Sequence, residues 1–543
     1  FTLNGAMVDM SRNAVMNLKT VKYMLRKMAL MGLNAYMLYT EDTYEISNRP
    51  YFGYMRGRYT RDEIRELDSY ALMLGIELIP CIQMLGHLAT TLRWTDTAPY
   101  KDTANALLVG ADETYSFIED MIKSISGSFT SRRLHMGMDE THDLGTGKYL
   151  DRFGYRERKD LYFEHLAKVT EIAKKYGFKP MMWSDMFFRM SAKNIPNFSD
   201  YDMRTILPEN IGDSVPEGVQ QIFWDYYNPN EEFYAVNLDK HDILGDNTMF
   251  AGGIWCWSGH TPLFSRSIRN TIPALEACKK KGIKEVIATI WHNGSESNLI
   301  MSLAGLAMYA DYDYKGGYFV DSIRKTLDIS CDACYDEFIA TEEVEYPHGT
   351  NLGGGTSRAL LYNDPLLGMV DKHLNGIDTR KFYRNVSLKL AEIGNSDDAF
   401  KPAFDVIKAL CSLLENKADF GIRLKKAYEE KNIRQLAALA KECEIIYKKT
   451  DKLRKLHRKS WMKYNKSFGW EVHDIRYGGI LMRFDTVKDK LLSYVAGEID
   501  YIEELEAKKE FFGSSAIYEK AENPFGGDFL WYQYQSYVTA GRL

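Results

Sequence analysis

Cysteine is scarce: Cys81, Cys256, Cys278, Cys331, Cys334, Cys411 and Cys443 are the only seven in 543 residues. An odd, scattered set does not read as a disulfide framework and points to a reducing compartment. Cys331 and Cys334 form a lone C-x-x-C without the second pair of ligands that a tetrahedral zinc site requires, so two structural thiols are expected. No apolar run reaches the roughly 18 residues of a membrane span. The opening Phe1-Thr2-Leu3-Asn4 lacks the charged and apolar regions of a secretory signal, and a cytoplasmic location is the expectation. A basic excess is also missing: 69 Lys and Arg stand against 75 Asp and Glu, for a formal net charge of −6. That balance argues against a nucleic-acid partner, which calls for a positive face. No His, Cys and carboxylate cluster shows metal-ligand spacing, so neither a metal nor a cofactor is expected.

What the chain has in abundance is apolar and aromatic residues. The hydrophobic fraction is 45% and aromatics make up 13%, including 9 Trp and 36 Tyr. With a mean hydropathy of −0.36 this describes a globular chain with ample core, long enough for more than one domain. Sugars bind through the apolar faces of their rings against aromatic planes, which suits a carbohydrate partner.

Through residue 313, short apolar runs alternate with amphipathic stretches, the rhythm of βαβ units. Strands are expected at 4–10, 34–39, 77–82, 133–138, 180–184, 220–226, 249–255 and 285–291. Helical patterns separate them, as at 18–31, 61–74, 114–125, 161–176 and 272–281. Gly32, Gly75, Gly177 and Gly282 each follow a helix, where a left-handed cap is expected. Eight such units describe an α/β fold, a (β/α)8 TIM barrel over 1–313. An open doubly wound sheet would show fewer units and a Gly-rich phosphate loop. Residues 314–543 change to helices without strands, an all-helical C-terminal domain with long runs at 410–442, 443–464 and 481–508, interrupted by a Gly-rich stretch at 349–357.

Reactive groups of such barrels stand at the C-terminal ends of the strands. The fourth strand ends in His135-Met136-Gly137-Met138-Asp139-Glu140. Alternation puts His135, Gly137 and Asp139 on the face looking into the barrel, with Glu140 at the rim. Two adjacent acids are commonly a helix cap. Ending an apolar barrel strand they read differently, because closely placed carboxylates in a partly dry site raise the pKa of one, which can then serve as a general acid. Trp183, Trp224, Tyr226, Trp255, Trp257 and Trp291 recur at the next four strand ends, as expected of a sugar-lined pocket. Polar candidates at this rim are Asp9, Tyr39, Asp42, His87, Asp185, Asp225 and Glu296.

The pattern His135-x-Gly137-x-Asp139-Glu140 resembles that of the family 20 β-N-acetylhexosaminidases, particularly a single-chain bacterial branch similar to the streptococcal exo-hexosaminidases. Supporting stretches are Met7-Val8-Asp9-Met10-Ser11-Arg12, Leu38-Tyr39-Thr40-Glu41-Asp42, Ile82-Gln83-Met84-Leu85-Gly86-His87, Trp183-Ser184-Asp185, Trp224-Asp225-Tyr226, Ile290-Trp291 and the tail segment from Phe468 to Arg476. Three departures are visible. Asn4 stands where many members carry an Arg that holds sugar hydroxyls, Tyr39 where a His is common, and the sequence starts without the small α/β domain that usually precedes the barrel.

The resemblance implies a retaining, substrate-assisted hydrolysis of terminal β-linked N-acetylhexosaminides, an exception to the two-carboxylate scheme. Glu140 would be the acid and base, and Asp139 would orient the acetamido group. Tyr226 would bond its carbonyl, the tryptophans would wall the sugar, and Glu296 would hold its hydroxyls. His87, Asp42 and Asp9 are further substrate-binding candidates. No membrane partner is expected, and the oligomeric state stays open, a homodimer included. Two alternatives remain. An enzyme acting on protein-linked N-acetylglucosamine commonly pairs two aspartates, against which Glu140 speaks. A non-catalytic sugar-binding protein would tolerate loss of an acid, yet both are present.

Overall fold

All eight apolar runs form strands, and they close on themselves. The computed structural model describes residues 1–192, 195, 200–245, 247–347, 355–374, 376–395 and 399–510. The strands are β1 (Leu3–Asp9), β2 (Ala35–Thr40), β3 (Glu77–Ile82), β4 (Arg133–His135), β5 (Lys179–Trp183), β6 (Gln220–Trp224), β7 (Thr248–Gly253) and β8 (Glu285–Ile290). They form a closed parallel barrel in chain order, with β1 also pairing β8 through the register Leu3↔Glu285 to Val8↔Ile290. Every residue of β1 and β2 is buried, the signature of strands covered on both faces. Gly5 is required by closeness: a Cβ there would lie 2.0 Å from the Ala35 carbonyl oxygen of β2.

The helices of this first unit are α1 (Leu18–Met31), α2 (Arg61–Met73), α3 (Asp112–Ser126), α4 (Lys148–Phe153), α5 (Arg158–Lys175), α6 (Asp185–Ser191), α7 (Glu231–His241), α8 (Phe264–Lys281), α9 (Leu303–Lys315) and α10 (Val320–Cys331). Their boundaries follow local chemistry. Asn17 caps α1 by accepting from the Thr20 amide, and Gly32 ends it at φ 82°. Thr60 and Glu63 close a capping box at α2. The N-terminal end of the barrel is plugged by charge. Arg133 donates to both oxygens of Glu285, at 2.8 and 2.6 Å, and Gln220 donates to the same carboxylate at 2.7 Å. Part-buried and multiply bonded, this cluster satisfies groups that would be costly left alone.

Two compact units divide the described residues. One comprises Phe1–Ile254, Ser267–Trp291 and Leu303–Ala333; the other comprises Trp255–Arg266, His292–Ser302 and the chain from Cys334. The boundary expected at 313/314 falls inside α9. That helix and α10 both pack on α1, so the first unit runs on to Ala333.

The second unit is helical: α11 (Tyr335–Thr341), α12 (Thr356–Tyr362), α13 (Thr379–Ala391), α14 (Lys401–Lys417), α15 (Phe420–Glu429), α16 (Ile433–Tyr464), α17 (Trp470–Ala496) and α18 (Glu503–Glu506). The break expected at 442/443 lies within the continuous α16, where Cys443 is buried and no capping residue interrupts the pattern. Of the Gly-rich stretch, 349–354 lies outside the described residues. All seven cysteines are free, and only Cys334 is exposed. Among the described residues no helix is long and apolar enough to cross a membrane.

Candidate active site

The acid-bearing segment departs from the regular strand expected for it. β4 ends at His135, after which Gly137, Met138 and Glu140 take positive φ of 71°, 76° and 48°. Simple alternation therefore holds only to His135. The backbone then coils, at a cost of roughly 1–2 kcal/mol for each non-glycine residue so placed. Local bonds over-determine it. The Gly137 amide donates to His135 Nδ1 at 3.0 Å, and the Met138 amide donates to Gln83 Oε1 at 3.4 Å. The Tyr162 hydroxyl donates to the Met138 carbonyl at 3.0 Å, and the Glu140 amide donates to Asp185 Oδ2 at 3.1 Å. Glycine is needed at 137 twice over, because a Cβ there would also lie 2.0 Å from Gln83 Oε1.

This coil places Asp139 inward and nearly buried, with Glu140 half-buried beside it. Gln83 Nε2 donates to Asp139 Oδ1 at 2.9 Å. His87, itself held at φ 54°, brings Nε2 to 3.3 Å from Asp139 Oδ2 and 3.4 Å from Glu140 Oε2, as ion-pair contacts. Burial alone would lower the His87 pKa, but the two carboxylates outweigh it and hold the imidazolium well above the ordinary histidine value. Burial alone would likewise raise the Asp139 pKa, but His87 and Gln83 bring it down to about 2. Glu140 is lowered too, His87 again outweighing burial and the neighbouring Asp139 charge. His135, buried beneath, is pushed down to about 3 by desolvation and accepts from Gly137 as a neutral ring.

The same unit supplies the surrounding wall. Trp183 and Trp291 lie 6.4 Å apart between ring centroids, with His135 edge-on to Trp183 at 4.4 Å. Trp224 stacks on Tyr226 at 5.5 Å. Trp291 Nε1 donates to the Tyr226 hydroxyl at 3.0 Å, so the phenol's own proton must point elsewhere. Among the described residues, the buried indole N–H groups of Trp183 and Trp224 have no acceptor. Such donors call for an explanation, a ligand oxygen being one.

Other expected residues have different occupations. Asp9 accepts from the Ser11 amide at 2.8 Å and pairs with Arg12 at 3.3 Å. Asp42 is buried against Arg56 at 3.3 Å. Asp225 staples its own turn, accepting from the Tyr227 and Asn228 amides. Asp185 is pushed well above the usual carboxylate range, first by burial and then by Asp139. Asn4 does not occupy a rim position. It sits near the N-terminal end of β1, donating to the Tyr309 carbonyl at 3.2 Å.

Trp255, Trp257 and Glu296 belong to the second unit. Trp255 is covered on its faces by Trp257, stacked at 4.4 Å, and by the Arg266 guanidinium at 3.7 Å. That leaves no open plane for a sugar. Glu296 is fully enclosed, pairing with Arg358 at 2.7 Å and Arg476 at 2.8 Å and accepting from the Tyr362 hydroxyl at 3.3 Å.

Three residues at the barrel end went unselected in the sequence. Arg12 pairs with Asp9 and Glu41 and lies 5.1 Å and 4.9 Å from the ring centroids of Tyr39 and Trp291. Gln83 links Asp139 to the Tyr39 hydroxyl, donating to it at 3.1 Å. Glu41 accepts from that hydroxyl at 3.0 Å. All three stood within the quoted stretches. The spacing of Arg12 three residues after Asp9, as β1 ends, is the signal that could have found it.

His87, Asp139 and Glu140 each offer one ligating atom, all within 4.8 Å of one another, the kind of group that could hold a cation. No spacing in the sequence shows this grouping, because His87 comes from a different loop. The two carboxylates favour a proton on His87, which would bring a positive charge to the same place.

Residues 1–199 match the profile described as glycosyl hydrolase family 20, catalytic domain, and residues 336–522 match the Glycoside Hydrolase 20C C-terminal domain. The chain belongs to glycosyl hydrolase family 20. Among curated relatives, this family 20 chain is 24% identical to Hexosaminidase D of Bos taurus over 45% of its own length and 68% of that protein. It is 25% identical to Hexosaminidase D of Homo sapiens over 39% of its length and 40% of that protein. Identity to Beta-hexosaminidase 3 of Arabidopsis thaliana is 24%, over 48% and 52% respectively. The chain thus spans between two fifths and about two thirds of the length of these three relatives.

Proposed function

We propose that this family 20 chain is an exo-acting, retaining β-N-acetylhexosaminidase that releases terminal β-linked N-acetylglucosamine or N-acetylgalactosamine by substrate assistance. The observation that carries this reading is the Asp139–Glu140 pair at the end of β4, contacted by His87. The 2-acetamido oxygen attacks C1 and forms a bicyclic oxazolinium ion, while Glu140 protonates the leaving oxygen. Glu140 then takes a proton from the water that opens the ring. Asp139 accepts the acetamido N–H and its negative charge stabilises the developing cation. Tyr226 donates to the acetamido carbonyl, and Trp183, Trp224 and Trp291 wall the sugar. Their support is the shared unit, the stacking of Trp224 on Tyr226, and the two indole donors without acceptors.

Glu140 must take up a proton to act as the acid, and His87 Nε2, 3.4 Å from Glu140 Oε2, is the neighbouring group able to carry one. Six buried free thiols support a reducing, cytoplasmic setting. The test is turnover of p-nitrophenyl N-acetyl-β-glucosaminide and of its galacto epimer, set against the plain β-glucoside. Cleavage of either acetamido sugar with the glucoside refused supports the reading; rapid glucoside cleavage opposes it.

A further inference from the structure

At the end of the barrel opposite the acids, the start of β6 and the loops leading into β6 and β7 line a cavity of about 410 Å³. Gln221 lines it, is 1% exposed, and has no hydrogen-bond partner for either Oε1 or Nε2. Alternation along β6 explains this. Gln220 turns into the barrel, donating to Glu285 at 2.7 Å and to Asn247 Oδ1 at 3.0 Å, so Gln221 faces outward. Thr248 of β7 is paired in register with Gln221 and shares its face, and its buried Oγ1 also lacks a partner. Three buried polar atoms left unbonded side by side call for a ligand.

The charges around the cavity say which kind. Glu209, Asp213, Glu217 and Asp242 line it as exposed acids, and its lining holds no basic side chain. Among the described residues none of the four carboxylates has a counter-ion. Even Lys174 Nζ, which reaches this loop, donates to the Glu217 carbonyl oxygen at 2.5 Å and not to its carboxylate. The acids are also spread out: among the described residues, ligating atoms gather in a group of three only around His87. A metal ion would want several ligands on one point. Charges set apart suit a cation whose own charges are set apart.

The walls between them are apolar, formed by Val215, Pro216 and Leu244. The cavity is held open by backbone contacts. Gly212 passes so close to Ile243 that a Cβ would lie 2.2 Å from its carbonyl oxygen, and the Val215 amide donates to the Gly212 carbonyl at 2.9 Å. Its volume lies within the range of small-molecule sites.

We propose that this cavity is a binding site for an aliphatic polyamine. The ammonium groups pair with the separated acids, the methylene segments lie on Val215, Pro216 and Leu244, and Gln221 Oε1 accepts an ammonium N–H. Water would satisfy the carboxamide but leave four negative charges uncompensated. The site stands apart from the acid pair of β4 and is independent of the hexosaminidase reading.

The test is calorimetric titration of the full chain with spermidine at fixed ionic strength. Saturable binding of one spermidine, with a Kd below about 1 mM, is expected. Gln221→Met, which keeps the length and removes both polar atoms, and Asp213→Asn/Asp242→Asn should each raise the Kd about tenfold. Glu113→Gln/Asp160→Asn, an equal change of charge on α3 and α5, should bind as the parent does. Should Gln221→Met fail to fold, judged by circular dichroism, the acid pair of variants decides alone. Butylamine, with one ammonium group, should bind at least about tenfold more weakly than spermidine. Absence of spermidine binding, equal affinity in the site variants and the parent, or equal affinity for butylamine would overturn the proposal, as would calcium binding where spermidine does not.

Discussion

His87 Nε2 stands 3.3 Å from Asp139 Oδ2, at the centre of the only three-residue group of this kind among the described residues. A raised histidine pKa in the folded state adds stability that is fully present below the unfolded value of about 6.5 and is lost as pH rises through the folded one. His87→Asn should therefore lower stability most at pH 6, with the gap from the parent narrowing as pH climbs. Without the cation, Glu140 should titrate higher, moving the alkaline limb of the activity profile upward. Denaturant unfolding of both proteins from pH 6 to 10 measures the first effect. A gap that widens with pH would show that His87 is not held charged.

Glu140 is expected to matter through its proton. Glu140→Gln should lower kcat by at least about a hundredfold on a substrate whose leaving group needs protonation. Loss should be smaller on leaving groups that depart unaided. Comparing nitrophenyl and alkyl glycosides checks this, and equal loss on both would deny Glu140 the acid role.

The close grouping of His87, Asp139 and Glu140 makes a metal a question worth asking. Since a protonated His87 would supply the compensating charge, activity is expected to survive EDTA. Loss on chelation, restored by one divalent ion, would replace the proton-sharing account with metal binding.

Much of the barrel was legible because strands covered on both faces are continuous apolar runs, and glycines such as Gly32 mark where helices stop. The acid pair was legible as a motif, but its geometry was not. The positive φ of Gly137, Met138 and Glu140 is set by bonds to Gln83, Tyr162 and Asp185, each distant in sequence. His87 was legible as a rim candidate, but its contact with both acids was not, since that depends on the loop after β3. Trp255 and Glu296 looked like sugar ligands at strand ends, and only the packed structure gives them Arg266 and Arg358 as neighbours. Residue type and strand position narrow the choice; partners far along the chain decide the role.

Asp139 is the residue on which substrate assistance turns. Its pKa of about 2 keeps it ionised, ready to accept the acetamido N–H and to face a cationic intermediate. Asp139→Asn keeps the size and removes the charge, and should cost roughly two to three orders of magnitude in kcat. The decisive measurement is inhibition of the parent protein and of Asp139→Asn by N-acetylglucosamine thiazoline, in which sulfur stands for the attacking oxygen. The thiazoline should inhibit the parent strongly and the variant much more weakly, because it resembles the intermediate that Asp139 stabilises. Equal inhibition of both, or a fluorosugar trapped covalently on a carboxylate of the parent, would put a protein nucleophile in place of the substrate's own acetamido group.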